Sequence, residues 1–166
     1  MIDDLRRLAR NLWWCWDADA PRLFEELSPT DWEKCGHNPT LLLERLPPAV
    51  AEAAAADGPF QQRIEQALQR LDDYLATPDH RHESISRTRP VAYFCAEYGL
   101  HESLPLYSGG LGVLAGDHLK SASDIGIPLI AVGLFYRAGY MVQGIDEAGR
   151  QIAADRRNDP ESMPLD

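Results

Sequence analysis

Apolar residues recur at helical spacing through the first 76 residues of the chain. The first stripe predicts one amphipathic helix, because its members repeat three or four positions apart. They are Leu5, Leu8, Ala9, Leu12, Trp13 and Trp16. Later stripes predict a helix that starts at Asp19 and Pro21, a short helix after Asn38-Pro39 and a longer helix from Phe60 to Ala76. Residues 1–76 are therefore predicted to form a helical module.

The pattern changes twice after this module. Residues 77–90 are polar, show no apolar period and end in proline, which indicates a linker. Residues 155–166 are polar and charged and contain two prolines, so they are predicted to be a loop or a frayed tail. The remaining segment, residues 91–154, decides the fold class.

Two short, continuous apolar runs in that segment, Val91–Ala96 and Leu129–Phe135, predict strands that are buried on both faces. Between them a glycine run precedes a helix that ends at Gly126. The inner face predicted for this helix is Leu111, Leu114, Ala115, His118, Leu119, Ala122 and Ile125. The order strand, loop, helix, strand predicts a βαβ unit with a parallel pair, and residues 140–153 predict a β-hairpin. The fold class is thus α/β, with a helical module at the N-terminus.

Charge and composition narrow the function classes. The 166 residues include 16 Lys and Arg against 26 Asp and Glu, so the net charge is −10, which disfavours a nucleic-acid or anionic-membrane surface. Every apolar run is shorter than the roughly 20 residues that cross a bilayer. The 3 cysteines are far apart, and the N-terminus lacks the apolar core of a secretory signal. A cytoplasmic setting is therefore predicted.

The glycine run Ser108–Gly112 is the strongest chemical signal. Glycines at the start of a helix let an anion approach the free backbone N–H groups at the positive end of the helix dipole. The run matches neither GxGxxG nor a Walker P-loop. The alternative is a tight turn whose glycines only permit helix–strand packing. Glu97, just past the first strand, is a candidate for polar ligand contacts.

Aromatic and histidine residues offer weaker candidates. Trp13 and Trp16 lie on or beside the first apolar stripe and are predicted to be core, whereas Trp14 points elsewhere and is the better candidate for contact with a ligand or another domain. His80 and His82 could hold a metal, but no third ligand is nearby, so a solvated pair is expected and no metal site is predicted.

Three stretches resemble the N-terminal domain of bacterial α-glucan phosphorylases. They are VAYFCAEYGL at residues 91–100, the run from Leu106 to Pro128 that contains SGGLG, and VGLFYRAGY at residues 132–140. NLWWCW at residues 11–16 and GHNP at residues 36–39 are similar to the helical module that precedes the catalytic domain in one branch of that family. The resemblance covers roughly residues 5–46 and 91–152.

This resemblance implies retaining glucosyl transfer between a 1,4-α-glucan and inorganic phosphate, giving glucose 1-phosphate. It implies a cleft between two Rossmann-like domains and a pyridoxal phosphate held by a lysine of the C-terminal domain. Gly109, Gly110 and Leu111, with Gly112, would bind substrate phosphate and the glucosyl unit, and Glu97 and Tyr98 would lie near the cofactor pocket. Many members of the family have Asn in place of Ser108.

The chain is several times shorter than members of that family. It is therefore expected to be an N-terminal fragment, inactive alone, whose structural partner is the missing C-terminal domain with the cofactor lysine. An alternative is the N-terminal part of a glycogen or starch synthase, although these usually carry a lysine just before the glycines, where this chain has Leu106, Tyr107 and Ser108. Another alternative is a non-catalytic module that binds glucan or a partner chain through its Trp-rich helices.

Overall fold

The computed structural model describes residues 1–78, 84–155, 157–160 and 163. It divides into two units, which we name the helical unit, Met1–Thr77 with Pro160–Asp166, and the sheet unit, Pro78–Asp159. His80 and His82, considered above as a metal pair, lie outside the described residues.

The helical unit contains six α-helices in its described part. They are α1 Ile2–Ala9, α2 Ala20–Leu27, α3 Pro29–Lys34, α4 Pro39–Arg45, α5 Pro48–Ala56 and α6 Gly58–Leu75. The helices predicted from Asp19, from Asn38 and over residues 60–76 are confirmed as α2, α4 and α6. Helix α5 was missed, because its alanine-rich sequence has no apolar stripe and none of its residues is buried.

The predicted single helix over residues 5–16 is wrong. Helix α1 ends at Ala9, and a separate 3-10 turn, Leu12–Cys15, follows it. Asn11 lies between them in extended conformation, and its side chain accepts a hydrogen bond of 3.0 Å from the N–H of Trp13. An asparagine cap of this kind competes with continuation of the preceding helix.

This turn directs Trp14 into the core of the helical unit. Trp14 is fully buried, its ring centroid lying 5.7 Å from that of Phe24 and 6.1 Å from that of Trp32. Phe24 stacks on Trp32 at 5.9 Å. The prediction that Trp14 is available to a ligand is therefore wrong, whereas the core role of Trp13 is confirmed by its 6% exposure.

The sheet unit combines a parallel strand pair with a hairpin. Its elements are β1 Val91–Phe94, α7 Gly110–Asp124, β2 Leu129–Val132, β3 Val142–Ile145 and β4 Gln151–Ala154. Strands β1 and β2 pair in parallel from Val91↔Leu129 to Phe94↔Val132, and β3 pairs with β4 antiparallel. The structure thus confirms a mixed helix and strand fold with a small parallel sheet and a helical N-terminal region.

Helix α7 ends at the predicted glycine. Gly126 has φ +69°, a value that glycine adopts without strain. Its N–H donates to the carbonyl of Ser123 at 3.0 Å, and the N–H of Ile127 donates to that of Ala122 at 2.8 Å. This pair of bonds is a Schellman cap, which turns the chain into β2.

The predicted burial of the sheet unit is wrong in this chain. Phe94 is 72% exposed and Ile130 is 54% exposed. Of the predicted inner face of α7, Leu111, Leu114 and Ile125 are also exposed. Two members of that face, Ala115 and Ala122, are buried as predicted. Together with the buried Gly112 and Gly116, which were not part of the predicted face, they permit close backbone approach.

Candidate anion-binding site

The glycine run forms the N-terminal end of helix α7. Gly109 is the N-cap and has no side chain to accept a hydrogen bond, and the helix begins at Gly110. The first N–H groups of an α-helix have no acceptor within the helix. In this 15-residue helix they coincide with the positive end of the dipole, so the end of α7 can bind an anion.

The glycines of the run fall into two classes. A Cβ atom on Gly112 would lie 2.4 Å from Cβ of Tyr107, so packing requires glycine there. A Cβ on Gly109 or Gly110 would meet no atom within 4 Å, and neither residue is among the described glycines with positive φ. Packing within the sheet unit therefore explains Gly112, but neither packing nor backbone conformation explains Gly109 and Gly110.

Glu97 and the residue before the glycines are brought together. The N–H of Ser108 donates to Oε2 of Glu97 at 3.2 Å, and the Ser108 hydroxyl donates to Oε1 at 3.1 Å. Glu97 is half-buried and follows β1, whereas Ser108 directly precedes Gly109. This two-point contact fixes the start of the glycine run to the loop after β1.

Tyr98, the other candidate beside β1, lies inside the sheet unit. Its hydroxyl donates to the carbonyl of Tyr93 at 2.5 Å and lies 3.3 Å from that of Val132. Burial, together with the neighbouring Cys95 thiol, raises the pKa of Tyr98 above its usual value. Its ring lies against Gly133, where a Cβ would approach within 2.8 Å. Tyr98 therefore ties β1 to β2.

A cavity of about 250 Å³ opens on the Ser108 side of the run. Three tyrosines line it together with Glu97 and Ser108: Tyr107, Tyr136 and Tyr140. The buried Asn158 holds its far wall, since its side-chain amide donates to the carbonyl of Tyr136 at 2.8 Å. Sequence reasoning missed these residues; the aromatic pair around Gly139 was a usable signal, but nothing distinguished Asn158 within a polar segment.

Among the described residues, no group of three or more His, Cys, Asp and Glu side chains could hold a metal ion. No helix among the described residues is long and apolar enough to cross a membrane. His118, predicted on the inner face of α7, is exposed, with its ring centroid 5.0 Å from that of Tyr93.

Comparison with known proteins gives one family model and several relatives. The model, described as "Protein of unknown function (DUF3417)", matches residues 1–104. Glycogen phosphorylase of Mycobacterium tuberculosis is 44% identical over 97% of this chain and 20% of its own length. Maltodextrin phosphorylase of Thermococcus litoralis is 41% identical over 99% of this chain and 20% of its own length. Glycogen phosphorylase of Aquifex aeolicus is 38% identical over 98% of this chain and 23% of its own length.

The chain spans about a fifth of the length of these relatives, and it matches their N-terminal part. No solved structure matches it. The family model covers well over half of the chain and includes the whole helical region together with β1. The chain therefore belongs to the family described as "Protein of unknown function (DUF3417)", and nearly all of it is similar to the N-terminal segment of glycogen and maltodextrin phosphorylases.

Proposed function

We propose that the chain supplies the phosphate-binding loop of an α-glucan phosphorylase. The reaction is glucosyl transfer between a 1,4-α-glucan and inorganic phosphate, giving glucose 1-phosphate. The observation that carries the proposal is the open space above Gly109 and Gly110 at the start of α7. The phosphorylase names of the relatives support this assignment over a synthase.

In this proposal the backbone of Gly109, Gly110, Leu111 and Gly112 binds the phosphate. A phosphate oxygen reaches an N–H group only where no side chain intervenes, which gives Gly109 and Gly110 their role. Glu97 is a positioning residue, because it holds Ser108 and hence the direction of the loop. Since both of its carboxylate oxygens accept from Ser108, its charge is partly compensated beside the anion.

In the same proposal, strand β1, helix α7 and strand β2 are the first βαβ unit of a Rossmann-like domain, and residues 91–154 are the N-terminal part of that domain. Residues 1–76 would be a separate helical module, residues 77–90 a linker and residues 155–166 a tail. We infer from the exposed faces of the sheet unit that further polypeptide packs on them, which a phosphorylase of the relatives' length would provide. The proposed enzyme is cytoplasmic.

The family resemblance also implies pyridoxal phosphate, but the lysines of this chain do not fit it. A Schiff-base lysine has to be uncharged in a dry pocket. The side chain of Lys34 is 69% exposed and lies 3.5 Å from Asp31. Lys120 lies in the last third of α7, four residues before Asp124 on the same face. The proposal places the cofactor lysine outside these residues, with Glu97 and Tyr98 near the pocket wall.

A chimera tests the proposed function. In the M. tuberculosis glycogen phosphorylase, this chain replaces the matching fifth, and glucose 1-phosphate formation from maltodextrin and phosphate is measured. Gly110→Val should lower turnover about 100-fold, the scale of losing one preorganised backbone donor. The matched control is Gly58→Val, because Gly58 is also the first residue of a helix with open space around it.

Gly58→Val is expected to stay within about twofold of the chimera, as an exposed substitution does. Unchanged turnover in Gly110→Val would exclude a role for the loop in phosphate binding. Equal losses in both variants would show that valine merely disturbs helix starts. A rise in the KM for phosphate larger than that for maltodextrin would identify phosphate as the ligand of the loop.

A further inference from the structure

Helices α2 and α6 of the helical unit enclose a cleft of about 290 Å³. One wall comes from α2 and its N-cap, with Asp19, Arg22 and Glu26. These positions are three and four apart, so they share one face of the helix. Leu23, which is 1% exposed, lies behind these polar groups and also lines the cleft.

The other wall comes from α6 and is as polar as the first. Arg63, Gln66 and Arg70 are three and four positions apart and line the cleft. Gln66 is exposed to solvent, and its amide offers both a donor and an acceptor. The cleft therefore has charged or amide groups on both of its walls.

Two bidentate ion pairs hold the arginines in place. Arg63 donates to both carboxylate oxygens of Glu26, at 2.8 and 2.9 Å. Arg70 donates to both oxygens of Asp17, at 3.0 and 2.8 Å. A guanidinium carries five N–H donors, so each arginine keeps donors that its carboxylate does not use. The donors are thus fixed before any ligand arrives.

The lining of the cleft carries three arginines and two carboxylates, those of Asp19 and Glu26. A third carboxylate, that of Asp17, lies outside the lining and pairs with Arg70, which is also 4.0 Å from Asp19. Within the described part of the chain, no ion pair of Arg22 is formed. Fixed donors and acceptors therefore alternate in a cavity whose three arginines are matched by two lining carboxylates and by the neighbouring Asp17.

We propose that the α2–α6 cleft binds a neutral oligosaccharide. A sugar hydroxyl both donates and accepts, which matches alternating arginine, amide and carboxylate groups. An anion is disfavoured, because it would compete with Glu26 and Asp17 in a chain whose net charge is −10. The site lies outside the proposed phosphate loop, and it rests on the proposed function only in the choice of a 1,4-α-glucan as the probe.

Maltoheptaose titrated into the ¹⁵N-labelled 166-residue chain tests this site. We expect shifts of the amide signals of residues 19–26 and 63–70. Gln66→Leu should weaken binding roughly two- to tenfold, the value of one hydrogen bond between neutral groups. Gln69→Leu is the matched control, because Gln69 is exposed on the same helix but pairs with Asp73 at 2.9 Å and does not line the cleft.

The proposal fails if maltoheptaose leaves those amide signals unmoved, or if the two glutamine variants bind it equally well. It also fails if inorganic phosphate shifts the same signals and displaces maltoheptaose, since the cleft would then be an anion site. Gly110→Val should leave binding in the cleft unchanged. If the cleft binds maltoheptaose but Gly110→Val leaves turnover of the chimera unchanged, the proposed function alone is refuted. If the cleft does not bind maltoheptaose but Gly110→Val lowers turnover, this inference alone is refuted.

Discussion

The helical unit buries its large apolar side chains, whereas the sheet unit exposes many of its own. In the helical unit, large side chains such as Trp14, Phe24 and Leu71 are at most 1% exposed and belong to one continuous core. In the sheet unit, Phe94, Ile145 and many other large apolar side chains are exposed. Among the described residues, Leu75 is the one exposed large apolar side chain of the helical unit. The helical unit thus completes its own core, whereas the sheet unit does not.

This difference bears on what a hydrophobic pattern encodes. The runs that predicted β1 and β2 are typical of strands covered on both faces. The strands form and pair in parallel as predicted, yet their faces remain open within this chain. The pattern predicts the environment for which the strand is suited, and the proposed phosphorylase of greater length would supply that environment.

The largest difference in stability between the two units is expected when one phenylalanine in each is replaced by alanine. Phe24→Ala should destabilise the helical unit by about 3–5 kcal/mol, because it removes a fully buried ring that packs against both Trp14 and Trp32. Phe94→Ala should change the sheet unit by less than about 0.5 kcal/mol, because Phe94 is 72% exposed. Hydrogen exchange measured on peptides of each unit gives both values.

The same pair of variants can also support or weaken the proposed function. In the chimera, Phe94→Ala should become destabilising if other polypeptide covers the sheet. Equal destabilisation by both variants in the isolated chain would mean that the sheet unit already has a core of its own.

The second test concerns how α7 is held in a unit with so few buried side chains. A Cβ on Gly116 would lie 2.1 Å from the carbonyl oxygen of Gly99, so the backbone would have to move. Gly116→Ala should cost about 1–3 kcal/mol, as overpacking does, and should speed hydrogen exchange in residues 110–124. Gly110→Ala is the control, expected within about 0.5 kcal/mol of the unmodified chain, because its Cβ meets open space. Similar exchange in the two variants would disprove close glycine packing.

The sequence was sufficient for elements whose signals are local. Asn38 caps α4 by accepting from the N–H of Leu41 at 3.1 Å, and Gly126 ends α7, both as predicted. The start of α7 at the glycine run was predictable to the same extent, since glycines before a helix are a local signal, whereas anion binding there stays a prediction. The contact between Glu97 and Ser108 was not, because it depends on how the loop after β1 folds back onto the start of α7.

Errors arose where a local signal competed with packing. The stripe of residues 5–16 fits one helix, but the cap at Asn11 breaks it and places Trp14 in the core. The face of α7 was predicted from its large residues, yet the small residues Gly112 and Gly116 set how closely it packs. Neither outcome follows from the spacing of apolar residues. That spacing carries no information about whether a cap ends the helix or how closely two backbones pack.

The smallest expected effect on stability concerns an ion pair at the edge of the helical core. The side chain of Asp17 is 10% exposed. Its Oδ1 accepts hydrogen bonds from the N–H groups of Ala20 at 2.8 Å and of Asp19 at 3.1 Å. Both of its carboxylate oxygens also accept from Arg70. Partial burial raises the pKa of Asp17, but the hydrogen bonds from Arg70 and from these two N–H groups outweigh it, so the pKa lies below 3.8. The ionised form therefore stabilises the helical unit.

Asp17→Asn should lower the free energy of unfolding of the helical unit by about 1–2 kcal/mol at neutral pH, because it removes the charge that Arg70 binds. A carboxylate whose pKa is lowered by folding contributes stability that is fully present above its unfolded value of 3.8 and is lost as the pH falls through its folded value. The difference between Asp17→Asn and the unmodified chain should thus be constant from pH 7 to pH 5 and shrink below about pH 4. The control is Asp19→Asn, whose side chain is 68% exposed and 4.0 Å from Arg70, and which should cost less than about 0.5 kcal/mol. A difference that instead grows as the pH falls would show that Asp17 is protonated in the folded chain, and that the edge of the helical core depends on packing and not on this pair.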